Sequence, residues 1–328
     1  MGAGTRKLLT RDTPRSFPLD ANGVVQQNAW AFYALFPFLA KGLSAVTGIG
    51  TLPSLTIIAM LAGVGAALVI YMLFREFAGK RAALWGGVIF VSAFPVSPIL
   101  QVPYAESLNL LLLSGSLLLV VRRQYLAAIP VVLLMCLSRP TGGSFCSHGG
   151  GCCCCGVYGS TSGHPGLCRL QPPRLQLPTT TGRRRCAACY RWRHWCWQRE
   201  PGALAWPAIA WATTGELTAY TRTETAWRGH DLVPFKPWFD TGRMLFGPVL
   251  GVLAPFVFTA LFVLVMVSKP VRALGTELRL WCACYMGYLL VFLHPQTSTF
   301  RMLLPPFPAG AGGWRCCPSP RRTGEPSC

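Results

Sequence analysis

Residues 55–74 read LTIIAMLAGVGAALVIYMLF, an apolar run of twenty residues without a charge. Residues 244–268 read MLFGPVLGVLAPFVFTALFVLVMVS and are equally uncharged. A helix rises about 1.5 Å per residue, so either run can cross a hydrocarbon layer about 30 Å thick. A buried helix of a soluble protein rarely stays uncharged for so long. The two runs therefore predict an integral membrane protein.

The composition favours the same class of protein. Hydrophobic residues make up 52% of the 328-residue chain and charged residues only 12%, whereas a typical soluble domain carries about 25% charge. The net charge of +19 does not indicate nucleic-acid binding, because the basic residues lie in short clusters at the ends of apolar runs. The predicted fold is an all-α, polytopic helical membrane protein with about six to eight spans, multi-pass in the plasma membrane.

Basic clusters separate the apolar runs and predict their orientation, because such clusters favour the cytoplasmic side of a membrane. The apolar runs span residues 55–74, 82–100, 108–121, 125–137, 244–268 and 280–293, and the basic clusters are Arg75/Lys80/Arg81, Arg122/Arg123 and Lys269/Arg272. The outward-facing segments are then 1–54, 101–107, 138–142, 214–243 and 294–301. The aromatic segment Asn28–Leu39 is interpreted either as an interfacial helix or as a re-entrant piece.

The middle of the chain does not match its flanks. Residues 143–200 hold nine of the fifteen cysteines and a single acid, Glu200, and show neither helical nor strand periodicity. The predicted organisation is an N-terminal membrane region at 1–142, a Cys/Arg-rich unstructured segment at 143–202, a C-terminal membrane region at 203–308 with an outer loop at 214–243, and a disordered tail at 309–328.

Three interpretations of the Cys-rich segment compete. Thiolates and an imidazole could complete a tetrahedral zinc site, although their spacing is unusual. The candidate ligands are Cys186, Cys189, His194 and Cys196. A disulfide framework is the second interpretation, but the four consecutive residues Cys152–Cys155 cannot easily find distinct partners. The favoured interpretation is a GC-rich coding sequence read in a wrong frame, so no metal and no cofactor is predicted.

Three outward segments carry the candidate functional residues. Glu106 places a carboxylate at the mouth of a predicted membrane helix, where an acid is costly without a partner or a function; alternatively, Glu106 and Ser107 cap that helix. Lys236 lies in a loop whose mixed charges and aromatic rings suit sugar stacking and phosphate pairing, or an interfacial aromatic belt. Arg301 precedes an apolar run and could pair with a phosphate or snorkel to the headgroups.

Four of these local sequences resemble one family. PYAESL at 103–108 resembles the PYSESL element of the PIG-V-type mannosyltransferases, and SRPTG at 138–142 is similar to their SR-x-x-G. RMLLP at 301–305 resembles their RYLLP, and FYALFPFL at 32–39 resembles their FFPLFPL. Order and spacing both fit, with the closest resemblance to bacterial members. The resemblance covers residues 24–142 and 203–308 and leaves the Cys-rich segment unmatched.

The resemblance implies a polytopic glycosyltransferase of the C superfamily, which takes mannose from a polyprenyl-phosphate-linked donor in the lipid membrane. A carboxylate would deprotonate the acceptor hydroxyl, and a cation would hold the leaving polyprenyl phosphate. The catalytic candidates in this chain are Glu106 and Asp20. The candidates for substrate binding are Gln101, Tyr104, Lys236 and Arg301.

The chain departs from the family at its beginning. The expected acidic pattern RWD-x-x-W/H-Y/F is absent, because Asp12 lacks the tryptophan and the downstream aromatic residue, and Asp20 lies in what looks like the following loop. The first membrane helix is also expected to be missing. The prediction is therefore a mannosyltransferase-like protein with impaired turnover. The alternatives are an inactive truncated membrane protein and a transporter, which would need charges inside the spans.

Overall fold

The computed structural model describes residues 19, 25–93, 96–139, 204–228, 233–272, 274–293, 295, 302–303 and 306–307. These residues form eleven α-helices and one 3₁₀ helix (Ala29–Ala31), and they contain no strand, which confirms the all-α class for this part of the chain. The helices are α1 (Leu35–Thr47), α2 (Thr51–Arg75), α3 (Lys80–Ser92), α4 (Val96–Gln101), α5 (Glu106–Val121), α6 (Tyr125–Ser138), α7 (Ala205–Thr214), α8 (Ala219–Arg228), α9 (Lys236–Val267), α10 (Lys269–Arg272) and α11 (Thr276–Phe292). The predicted unstructured segment at 143–202 and the predicted tail at 309–328 lie outside the described residues.

Helices α2, α5, α6 and α11 share the main core. Small residues on one face of α2, among them Ala62, Gly63 and Ala66, are buried. A side chain at Gly63 would press on the carbonyl oxygen of Leu100, 3.3 Å from where its Cβ would lie. Small residues at helical spacing let neighbouring helices approach closely, so that van der Waals packing holds them together. Trp281 of α11 fills the same core and is fully buried.

Two of the described helices are long and apolar enough to cross a membrane, judged by length and composition: α2 with 25 residues and α9 with 32. Helices α1, α5 and α6 are apolar but shorter, with 13, 16 and 14 residues. The predicted run at 82–100 is not one helix, because α3 ends at Ser92 and α4 begins at Val96. Helix length therefore establishes two candidate spans, fewer than the predicted six to eight.

Helix α9 reverses direction at Gly247, whose φ of 81° lies outside the helical range. Residues on the two sides of this glycine meet: the ring of Trp238 stacks on Phe258 with centroids 5.3 Å apart. In a straight helix these residues would be about 30 Å apart. Glycine permits the positive φ at little cost. Residues 236–246 and 248–267 therefore form the two arms of a helical hairpin. The uncharged run predicted from 244 crosses the turn, and its part at 248–267 is the candidate span.

The basic turns lie together at one end of the bundle. Arg122, after the last turn of α5, pairs with Glu76 after the end of α2 at 2.8 Å. Arg123 pairs with Glu277 in the first turn of α11 at 3.2 Å. This basic end is therefore the end at which α2 and α5 finish and α6 and α11 begin. The predicted grouping of the basic clusters on one side agrees with this arrangement.

The segment predicted as an outer loop, 214–243, contains helical structure, and its place outside the membrane stays a prediction. It contains α8 and the first residues of α9. Helices α7 and α8 pack on residues 28–34, where Trp30 lies 5.5 Å from Trp206, measured between ring centroids. The segment Asn28–Leu39, interpreted as an interfacial helix or a re-entrant piece, is not one continuous helix, because a 3₁₀ turn is followed by α1 from Leu35. The two regions flanking the Cys-rich segment thus share an aromatic core.

The buried side-chain amide of Asn28 connects these two regions by hydrogen bonds. The Asn28 side chain donates to the Thr223 hydroxyl at 3.1 Å and accepts from the Trp30 N–H at 3.0 Å. The Thr223 hydroxyl donates back to Asn28 Oδ1 at 3.2 Å, and Asn28 Nδ2 also donates to the carbonyl of Gln26. Asn28 and Thr223 are both buried. Buried polar groups that lose their partners carry a large desolvation cost.

We expect Asn28→Ala to weaken the contact between residues 28–34 and α8 by about 2 kcal/mol, because it leaves the Thr223 hydroxyl and the backbone N–H of Trp30 unpaired. Limited proteolysis of the purified protein in detergent should then cut within 204–228 much faster than in the unsubstituted chain. Thr221→Ala, at an exposed position of the same helix, is the control and should leave the rate unchanged. Equal cleavage of the Asn28→Ala and Thr221→Ala proteins would contradict the prediction.

Candidate functional site

Glu106 and Arg139 form a largely buried ion pair at the end of the bundle opposite the basic end. Glu106 begins α5 and Arg139 follows the last residue of α6, so two antiparallel helices bring them together. Arg139 Nη2 lies 2.5 Å from Glu106 Oε1. The Glu106 side chain is 4% exposed and that of Arg139 is 20% exposed. The pair therefore combines a sequestered carboxylate with a guanidinium that keeps one accessible side.

A third segment completes the site. Arg139 Nη1 donates to the thioether sulfur of Met302 at 3.2 Å. The hydroxyl of Tyr285 in α11 donates to the Met302 backbone carbonyl at 2.9 Å, and the Tyr285 ring stacks on Trp281. Glu106 belongs to the PYAESL sequence, Arg139 to SRPTG and Met302 to RMLLP. Three separate motifs of the sequence thus converge within hydrogen-bonding distance.

Neither Glu106 nor Ser107 is the N-cap of α5, but Glu106 lies in the first turn, where its charge complements the positive end of the helix as the alternative predicted. The N-cap of α5 is Ala105, which makes no side-chain capping bond. The Ser107 hydroxyl donates instead to the carbonyl of Leu100 at 3.3 Å and is fully buried. The Glu106 carboxylate accepts a hydrogen bond from Arg139. The position of Glu106 is therefore decided by a residue 33 positions away along the chain.

Ser138, the residue before Arg139 in the chain, carries a buried hydroxyl. It is the last residue of α6 and is 1% exposed. Its hydroxyl has no hydrogen-bond partner among the described residues. Buried hydroxyls are nearly always hydrogen-bonded, and an exception calls for a physical explanation.

Aromatic side chains pack beside α6 near the same end. The hydroxyl groups of Tyr33 and Tyr220 lie 3.3 Å apart. Burial raises the pKa of both hydroxyls well above the usual value for tyrosine, and the nearby Glu224 carboxylate raises them further. Both tyrosines therefore stay protonated and neutral at physiological pH, when they can donate and accept hydrogen bonds but cannot act as bases.

The other predicted site residues are placed differently. Gln101 is exposed, with its amide 3.4 Å from the Ser97 hydroxyl, and Tyr104 is half-buried in the connection that leads to Glu106. Lys236 is 64% exposed and pairs with Asp240 one helical turn later at 3.6 Å. Lys236 therefore pairs with a residue of its own helix rather than with Glu106. Asp20 and Arg301 lie outside the described residues.

Sequence reasoning singled out Glu106 but missed Arg139, Ser138 and Tyr285 as members of the site. The signal for the first two was present, since SRPTG carries both. Nothing in the local sequence of α11 distinguishes Tyr285 from other aromatic residues of an apolar helix. Its role follows only from its hydrogen bond to Met302.

No group of three or more His, Cys, Asp or Glu side chains that could hold a metal ion occurs in the described part of the chain. The proposed zinc ligands between 186 and 196 lie outside it. Cys136 and Cys282 form no disulfide among the described residues and are buried within helices, as expected for small hydrophobic residues. No family model, no curated protein and no solved structure matches this chain.

Proposed function

We propose that this chain is a multi-pass protein of the plasma membrane, related in function to mannosyltransferases that use a polyprenyl-phosphate-linked sugar. The observation that carries the proposal is the convergence of Glu106, Arg139 and Met302 at one end of the bundle. Each residue comes from a different element of the family resemblance. Unrelated motifs would have no reason to meet at one point, whereas the parts of one active site must do so.

Exposed apolar surface supports the membrane part of the proposal. In the most hydrophobic stretch of α9, only 17% of the residues are buried. A core helix of a soluble protein would be mostly buried, and a large exposed apolar surface marks contact with lipid or with another protein. The most exposed large apolar side chains in the span of α9 are Val249, Leu250, Phe256 and Leu264. The shorter apolar helices complete the proposed six to eight spans by tilting or by shielding one another.

The proposed reaction is a direct displacement at the anomeric carbon. The acceptor hydroxyl oxygen attacks that carbon, the bond from the carbon to the phosphate oxygen breaks, and the polyprenyl phosphate leaves with the bonding electron pair. A carboxylate takes the acceptor proton. We assign Gln101 and Tyr104, which lead into Glu106, and Lys236 and Arg301 to sugar and phosphate contacts.

The identity of the base limits the expected rate. Positioned proton transfer contributes about 10²–10⁴-fold to such reactions. Glu106 forms an ion pair with Arg139, and Asp20 lacks the aromatic neighbours of the family motif. We therefore propose that this chain binds the donor but transfers sugar slowly.

An assay in membranes tests the proposal. Radiolabelled polyprenyl-phosphate-mannose is supplied to three membrane preparations. The first contains this chain, and the second contains a version extended upstream and restored in frame across 143–202. The third contains neither protein and is the control. The restored version should transfer mannose about 100-fold faster than this chain. Transfer by this chain within tenfold of the restored version would refute the impairment, and no transfer by either would refute the glycosyltransferase assignment. Uptake of solute into sealed vesicles would favour the transporter alternative instead.

A further inference from the structure

We infer that the basic end of the bundle binds the headgroups of anionic phospholipids, with Lys269 and Arg272 of α10 as the central contacts. The inference rests on the membrane location proposed above and goes beyond the proposed sugar transfer, which concerns the opposite end of the bundle. Three observations carry it: an excess of cations over carboxylates, the convergence of these cations on one surface, and the exposed apolar side chains that lead to them.

Cations outnumber carboxylates at the basic end. Its described charged residues are eight cations and two carboxylates, namely Arg75, Glu76, Lys80, Arg81, Arg122, Arg123, Lys269, Arg272, Glu277 and Arg279. Glu76 pairs with Arg122, and Glu277 pairs with Arg123. The other six cations form no ion pair with any described residue. Because like charges that lie close together destabilise the folded chain, an anion from outside the chain would stabilise this end.

Packing brings the ends of five helices together here. One buried hydrophobic cluster contains Phe74 of α2, Ala83 of α3, Val120 of α5, Val271 of α10 and Leu278 of α11. Each of these residues lies within three positions of a basic residue along the chain. The cations therefore belong to one surface of the bundle rather than to separate, unrelated turns.

Helix α10 lies where this basic surface meets the exposed apolar side of α9. Val263, Leu264 and Val267, near the end of α9, are exposed, and Lys269 and Arg272 follow directly and are also exposed. A phospholipid joins a charged headgroup to apolar chains, and this surface offers both kinds of contact in the same order. A soluble anion or a nucleic acid would use the cations but leave the apolar side chains uncovered, so the surface favours a lipid.

Arg279 adds a less exposed cation to the same surface. It lies early in α11, on which α10 packs, and its side chain is partly buried. Its Nε is buried and has no hydrogen-bond partner in the part of the chain that the structure describes. Holding a cation away from water without a counter-charge is unfavourable. An anionic headgroup bound at Lys269 and Arg272 would bring negative charge to this end and lower that cost.

Lipid binding to the purified full chain tests the inference. The protein, in a neutral detergent, is titrated with phosphatidylglycerol or with phosphatidylcholine of the same acyl chains, and bound lipid is counted by native mass spectrometry. Each cation near an anionic headgroup strengthens binding about fivefold, so two central cations should favour phosphatidylglycerol about 30-fold. Lys269→Gln combined with Arg272→Gln should weaken phosphatidylglycerol binding about 10- to 30-fold and leave phosphatidylcholine binding unchanged.

Lys41→Gln combined with Arg243→Gln is the matched control, because it also removes one lysine and one arginine. Lys41 lies on α1, which packs against the first half of α2. Arg243 follows Thr241, whose hydroxyl donates to the carbonyl of Pro295 beyond the end of α11. Both control residues therefore lie away from the basic end, and this variant should bind phosphatidylglycerol as the unsubstituted chain does.

Two further comparisons make the test decisive. Lys269→Arg combined with Arg272→Lys keeps both charges and should bind phosphatidylglycerol within about threefold of the unsubstituted chain, which separates loss of charge from loss of structure. Glycerol phosphate carries the phosphate without acyl chains and should compete at least tenfold more weakly than the lipid. Equal competition by glycerol phosphate would assign the site to a free phosphate and overturn the lipid. Equal binding of the two lipids, or an equal loss in the matched control, would overturn the site itself.

The result also separates this inference from the proposed function. Release of the chain from membranes by alkaline carbonate would contradict the proposed membrane location and this inference together. A chain that stays in the membrane but binds both lipids equally would contradict the inference alone. Phosphatidylglycerol binding that depends on Lys269 and Arg272 would support the inference whatever the outcome of the mannose-transfer assay.

Discussion

Glu106→Leu is expected to lower the free energy of unfolding by about 3 kcal/mol. The substitution removes the counter-charge of Arg139 while the guanidinium stays largely buried, and breaking a buried pair from one side costs about 3–5 kcal/mol. The lower end of that range applies because Arg139 keeps 20% of its side chain exposed. Equilibrium unfolding in mixed micelles, followed by loss of helical circular dichroism, measures the change.

The chain contains its own control for this prediction. Glu76 and Arg122 form a pair of the same chemical type at 2.8 Å, with side chains 31% and 40% exposed. Because exposed pairs contribute about 0–1 kcal/mol, Glu76→Leu should change the free energy of unfolding by less than about 1 kcal/mol. The double substitution Glu106→Leu with Arg139→Leu should recover most of the loss, since no unpaired charge remains. Equal effects of Glu106→Leu and Glu76→Leu would show that burial does not distinguish the two pairs.

Gly251→Val is expected to open the helical hairpin of α9 and to lower the free energy of unfolding by more than about 3 kcal/mol. A Cβ at Gly251 would collide with backbone atoms of Arg243 and Gly242. Overpacking against side chains typically costs about 1–3 kcal/mol, and backbone atoms cannot move aside as a side-chain end can. Hydrogen exchange of the amides at 236–246 should lose its protection, because this arm is held in part by the contact with 248–267.

Gly287→Ala is the matched control for the hairpin. Gly287 lies within α11, and a Cβ there would meet no atom within 4 Å. Alanine is favoured over glycine in a helix by about 1 kcal/mol, so this variant should be as stable as the unsubstituted chain or slightly more so. Protection of 236–246 that survives Gly251→Val would mean that the two arms do not depend on the glycine contact.

The local sequence predicted the parts of the fold that depend on helix length and composition. The run at 55–74 became α2, and the runs at 108–121 and 125–137 became α5 and α6 with boundaries within two residues. The sequence also grouped the basic turns on one side, as the Glu76–Arg122 contact shows. Apolar runs and charge clusters are local features, and both can be read without knowledge of distant contacts.

The same reasoning failed where a single residue changes the direction of the chain. The run at 244–268 is uncharged throughout, so nothing in its hydropathy reveals the reversal at Gly247. The charges and aromatic rings of 214–243 also gave no sign of α8, whose Thr223 binds the distant Asn28. Tertiary packing overrides a weak local preference in such cases.

By itself, the sequence determined that the described chain is helical, that its apolar runs are separated by basic turns, and that Glu106, Arg139 and Met302 each sit in a distinctive motif. Only the tertiary structure decided that these three residues meet. The contact between Glu106 and Arg139 joins positions 33 residues apart, and the contact between Arg139 and Met302 joins positions 163 apart. Helical periodicity is set by neighbours within a few residues along the chain, whereas contacts at such separations depend on how α5, α6 and α11 pack.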